Sequence, residues 1–147
     1  MRWLVVAVLL VASACSSSPP PPAPCTVDNG PLPTWARTGF TPPDLAVPHV
    51  VGAGGDIVGV LFGQPLTVPP RVSQNNKILW VSRVDTKGDP LKIHATLGGV
   101  TADREVADGP GPSIVDLPRV GCWTLSLSWS GHHDEVSVQY YPREAGP

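Results

Sequence analysis

The stretch Ser130-Gly131-His132-His133-Asp134-Glu135 sets two imidazoles beside two carboxylates, side chains that zinc and copper accept as ligands. The spacing works against a compact site. Ser-Gly-His-His is an ordinary four-residue turn, and neighbouring side chains on an extended chain point apart, so His132 and His133 meet at one ion only if the turn curls. His49 or His94 would have to complete the set. A second stretch, GAGGDIVG at 52–59, has the glycines of a phosphate-cradling loop, in which backbone amides approach an anion. Such loops follow a strand and open a helix, whereas these glycines follow Pro48 and lead into the β-branched IVGVLF. A flexible turn entering a strand is expected. Ser113 in GPGPS lacks the Gly-x-Ser-x-Gly form of a nucleophile elbow, and the twelve acidic residues stand singly, beside Gly, Pro or basic residues. Neither a catalytic residue nor a cofactor is expected from this chemistry. Metal binding through His49, His94, His132 and His133 stands as the alternative to a purely protein-based role.

Where such groups would work is set by the N-terminus. Arg2 precedes an unbroken apolar run, Trp3 to Val11, which ends in Ala12-Ser13-Ala14. This is the pattern of a secretory signal peptide over residues 1–14, and the run falls well short of the roughly 20 residues that span a bilayer. Ser13-Ala14-Cys15 is similar to the end of a bacterial lipobox, with Ala12 where leucine is usual. The chain has three cysteines, which leaves an odd thiol in an exported protein unless Cys15 carries lipid. A diacylglyceryl group on Cys15 would supply the two acyl chains that stable anchoring requires. The expected partner is therefore a membrane, met through a lipid anchor on its extracytoplasmic face. SSSPPPPAP, up to residue 24, then forms a tether reaching about 30 Å at about 3 Å per residue. Loss of residues 1–14, with Arg2, takes the net charge from −2 to −3. That mild acidity offers no footprint for nucleic acid and no polybasic membrane motif.

Residues 25–142 are expected to form one domain, followed by a disordered tail at 143–147. With 19 prolines and 15 glycines, no long segment keeps apolar residues at helical spacing. Short runs rich in Val, Ile, Leu and Trp, bounded by turn residues, mark strands instead: 56–62, 77–84, 91–97, 122–129 and 134–141, with weaker ones at 65–68, 104–107 and 113–117. Alternation turns Trp123, Leu125, Leu127 and Trp129 to one face, with Val136, Val138 and Tyr140 matching them across a hairpin. Leu91, Ile93, Ala95 and Leu97 point inward, and Lys92, His94 and Thr96 outward. Seven or eight such strands predict an all-β, immunoglobulin-like two-sheet sandwich. Cys122 falls on the Thr124 side, so a Cys25–Cys122 disulfide would fasten the start of the domain along the outside or edge of the last hairpin.

NKILWV at 76–81 and PSIVDLPRVGCWTLSLSWSG at 112–131 resemble an uncharacterised family of exported actinobacterial proteins, many of them lipoproteins. The resemblance covers roughly residues 50–141, and it implies an immunoglobulin-like sandwich without an activity, ligand or catalytic residue. Surface recognition of an envelope partner is then the expected role. The strand at 77–84 carries apolar groups on both faces, and is either central and buried twice over or open on one face. Trp35, Lys77, Trp80 and Arg83 are the candidate binding residues.

Overall fold

The structure is a computed structural model that describes residues 25–144. The expected signal peptide, Cys15 with its tether, and the tail residues 145–147 lie outside the described residues. Nine strands follow in order: β1 (His49–Val51), β2 (Ile57–Leu61), β3 (Leu66–Val68), β4 (Lys77–Ser82), β5 (Leu91–Leu97), β6 (Val100–Val106), β7 (Pro112–Ile114), β8 (Gly121–Trp129) and β9 (His132–Pro142). They form two sheets packed face to face, ordered β1-β2-β4-β7 and β3-β9-β8-β5-β6. Every pair is antiparallel except β3 with β9. This is an immunoglobulin-like sandwich, with β2, β4 and β7 in the A, B and E places and β3, β9, β8, β5 and β6 in the A′, G, F, C and C′ places. The strand beyond the expected eight is β1, three residues between Pro48 and Gly52, too short to show alternation.

Side chains that alternate inward along β8 and β9 fill the space between the sheets. Trp123, Leu125, Leu127, Trp129, Val136, Val138 and Tyr140 meet Ile57, Leu61, Ile78 and Trp80 there. Glycine interrupts the otherwise apolar β2 because the Trp80 indole lies against it: a Cβ on Gly59 would come within 2.8 Å of the ring. The outer side of the four-stranded sheet is covered as well. Residues 25–48 cross it as a strap with one turn of 3-10 helix at Thr34–Ala36. Leu32, Ala36 and Val47 of the strap bury Val58 and Val60, with Leu79 and Val81 packed alongside. β4 is therefore apolar on both faces because it is covered on both.

Cys25 and Cys122 form a disulfide with Cα atoms 5.7 Å apart, within the range a bridge allows. It ties the start of the strap to the outward side of β8. At the same end of the sandwich, Leu61 pairs with Ile78, Lys77 with Ile114, and Gly121 and Leu66 both with Tyr140. Buried Asn76 holds the crossing of β3 from one sheet to the other: its Oδ1 accepts the Thr67 N–H at 2.9 Å, and its Nδ2 donates to Thr67 O at 2.9 Å and to Asp116 Oδ1 at 2.8 Å. The Tyr140 hydroxyl donates to Val115 O. Burial pushes its pKa well above the usual tyrosine value, the Asp116 charge adds to this and Arg104 opposes it, so the hydroxyl keeps its proton. Arg143, expected in the tail, donates from its backbone N–H to Val68 O at 3.1 Å and from its guanidinium to Pro70 O at 3.2 Å, so the fold extends past residue 142.

At the far end, Trp129 Nε1–H donates to Ser82 Oγ at 3.0 Å. Here β8 turns into β9 through Ser130 and Gly131 alone, at φ 45° and 80°. Positive φ at both central residues makes this a two-residue hairpin turn whose twist matches the strands. It is not the expected four-residue turn, and His132 and His133 consequently sit on β9. Gly98 and Gly99 join β5 to β6 in the same way.

Candidate functional site

The glycine loop at 52–56 does cradle an anion, and the anion belongs to the chain itself. Asp134 of β9 accepts the Gly54 N–H at 2.7 Å on Oδ1 and the Asp56 N–H at 3.0 Å on Oδ2, while Oδ1 also accepts the Glu135 N–H at 2.8 Å. The carboxylate latches the β1–β2 turn to the opposite sheet. A Cβ at Gly52 would lie 2.1 Å from Asp134 Oδ2, so only glycine admits it. Asp134→Ala leaves these amides without their charged acceptor and is expected to cost about 1–2 kcal/mol. Urea unfolding measures the loss, and faster hydrogen exchange at Gly54 and Asp56 locates it.

The five-stranded sheet carries a polar outer face, and among the described residues no strap crosses it. Register sets His133, Ser128, Lys92 and Glu105 in one row across β9, β8, β5 and β6, and Glu135, Ser126, His94 and Asp103 in the next. All of these but Glu135 line a shallow depression of about 530 Å³ that takes in Lys92, His94, Asp103, Glu105, Ser126 and His133. His94 Nδ1 lies 2.6 Å from Asp103 Oδ1, with both side chains at least half exposed. The imidazole is thus held by a carboxylate, and among the described residues no serine hydroxyl bonds to it. A nucleophile paired with a base is not assembled here.

The four histidines occupy three places. His133 shares the depression with His94. His132 points to the other side of β9, its ring centroid 5.9 Å from that of Trp129. His49 is buried, with Nδ1 2.8 Å from Val47 O. A carbonyl can only accept, so this nitrogen carries the proton. Its Nε2 lies 3.8 Å from Asp28 Oδ2, in a separate cleft of about 620 Å³ between the strap, β1 and β9. Among the described residues no three His, Cys, Asp or Glu side chains are placed to hold one metal ion. The proposed set of His49, His94, His132 and His133 therefore does not converge, because adjacent strand residues face opposite ways and His49 belongs to the other sheet.

The candidate binding residues are also dispersed. Trp80 is 1% exposed and its Nε1–H donates to Ser113 Oγ at 3.1 Å. It is a core residue, since position 80 faces the opposing sheet, and it presents no surface. Trp35 is half-buried against the cluster beneath the strap, on the side of the sandwich and not at its end. Lys77 is exposed, with Nζ 5.8 Å from the Phe62 ring centroid. Arg83 makes a 2.8 Å ion pair with Asp56, a surface pair that contributes at most about 1 kcal/mol. The polar face itself was half visible in the sequence, through the outward alternation of Lys92 and His94. Its other half, Asp103 and Glu105 on β6, was not.

No family model, curated protein or solved structure matches the chain.

Proposed function

We propose that this protein is an exported, non-catalytic binding module of the cell envelope, anchored through lipid on Cys15 and presenting the open face of its five-stranded sheet to an envelope partner. One observation carries the reading: the strap buries one outer face of the sandwich, while among the described residues the other is left open and bears the depression with its charged groups. A disulfide-stapled domain suits the oxidising side of a membrane, and the likeness to exported actinobacterial proteins points the same way. Charged and hydroxyl side chains line the open face, so the fitting partner is polar. It would be recognised by hydrogen bonds and charge. The test is a photo-activated crosslinking residue placed at Ser126 on the open face or at Thr34 on the strap, with the protein in its own envelope. Crosslinks are expected from position 126 and not from 34, and they should fall when Lys92→Glu and His94→Ala are added. Equal yields from the two positions would refute the assignment of the face.

A further inference from the structure

The apolar surface of the domain is not scattered. Among the large hydrophobic side chains left exposed, Phe62, Val72, Ile114, Val120 and Tyr141 all lie at the end of the sandwich where Lys77 pairs with Ile114 and Thr67 with Tyr141. Leu45 approaches β1 from the same side, and only Val51 lies away from it. Val72 is fully exposed and Phe62 is 47% exposed.

Basic residues gather at the same end although the chain as a whole is acidic. Arg71, Lys77, Arg119 and Arg143 come from four separate segments and meet there through the pairing of β3 with β9 and β4 with β7. Of the acids nearby, Asp116 is engaged by Asn76, leaving Asp44 and Glu144 exposed. The far end has the opposite sign. Asp85, Asp89, Glu105 and Asp108 are exposed in and beside its loops and outnumber Lys87 there, while Arg83 is paired with Asp56.

The chain enters the domain at this apolar and basic end, because Cys25 is bonded to Cys122, next to the Gly121–Tyr140 pair. We infer that this end of the sandwich rests on an anionic phospholipid surface, its hydrophobic side chains reaching the headgroup boundary and its basic side chains meeting the phosphates. Apolar side chains ringed by Lys and Arg are the composition that binds such an interface. A tether entering at that pole holds it toward the membrane. The inference takes its direction from the anchor on Cys15, but the attraction itself needs no acyl chain.

That independence gives the test. The chain from residue 15 on, bearing Cys15→Ala so that neither lipid nor the apolar run Trp3–Val11 contributes, is mixed with vesicles of phosphatidylglycerol and phosphatidylcholine in equal parts, or of phosphatidylcholine alone, and sedimented. Binding to the anionic vesicles is expected, weakening as salt is raised and by about fivefold for each basic residue neutralised at this end, with charge reversal costing more. Lys77→Glu with Arg119→Glu, or Val72→Ser with Ile114→Ser, should abolish it without shifting the unfolding midpoint, since these four side chains are exposed. Arg83→Glu with Lys87→Glu makes the same charge change at the far end and should have a much smaller effect. No binding of the parent chain to anionic vesicles, or equal loss from the two charge reversals, would overturn the inference. So would self-association in sedimentation velocity that the same serine variants remove, which would assign the surface to a second copy. None of these outcomes bears on whether Cys15 is lipidated in the cell.

Discussion

Replacing Cys25 and Cys122 with serine is expected to lower the stability of the domain by about 4–5 kcal/mol, the chain-entropy value for a loop of about a hundred residues, as the cysteines are 97 apart. The figure is an upper one, because a compact unfolded chain has less freedom to regain. The staple is also the first fixed point of the strap. Without it, residues 25–27 lose their hold, and the next backbone tie is the Asp28–His49 bridge, with N···O distances of 2.9 and 2.8 Å. Urea unfolding should show a lower midpoint together with a steeper dependence on urea, since the uncrosslinked chain exposes more surface. Reductant should bring the parent protein to the same curve and leave the serine variant unmoved. A loss under about 1 kcal/mol would mean that the strap is held by its apolar underside alone.

Cys15→Ala should move the protein from the membrane fraction to the soluble one. Two acyl chains hold a protein to a bilayer where one gives only reversible binding, so the change expected is near-complete release, with any remainder removed by salt. Metabolic labelling with a fatty acid should mark the parent chain and not the variant. If the variant is exported and sediments with membranes at high salt as before, the anchor assignment is wrong and the membrane is held by other means.

Alternation was the most informative signal in the sequence. It turned Trp123, Leu125, Leu127 and Trp129 inward and Lys92 and His94 outward, and the structure has them so. Cysteine count and compartment together brought Cys25 to Cys122. What stayed hidden depends on contacts between distant segments. Trp80 and Leu79 carry apolar groups on opposite faces of one strand, and only the strap explains why both are covered. The glycines at 52–55 read as a flexible turn entering a strand, because the carboxylate they cradle, that of Asp134, lies 80 residues from Gly54. The turn at residue 130 was misread because serine rarely adopts φ 45°, which moved both histidines onto a strand. Asp103 joins His94 only through the β5–β6 register, and a short run at 104–107 could not reveal it.

β6 ends its sheet, and an open edge invites another strand. A second copy of the chain offers such a strand, and its docking would propagate sheets from molecule to molecule. Charge placement works against it. A two-fold antiparallel pairing that uses all seven residues of β6 sets Asp103 against Asp103. Shifting the centre by one residue sets Arg104 against Arg104 and Asp103 against Glu105, and a further shift sets Glu105 against itself. Of the registers that engage five or more residues of β6, only that centred on Ala102 escapes like charges, and it engages Val100–Arg104 alone. Arg104 is in any case turned inward, where its guanidinium Nε donates to Asp116 O at 2.9 Å, so a docking strand would meet a side chain already committed across the sandwich. Charge therefore opposes the growth of a common sheet along β6, the longest open edge among the described residues, and copies of the domain can be concentrated as separate particles.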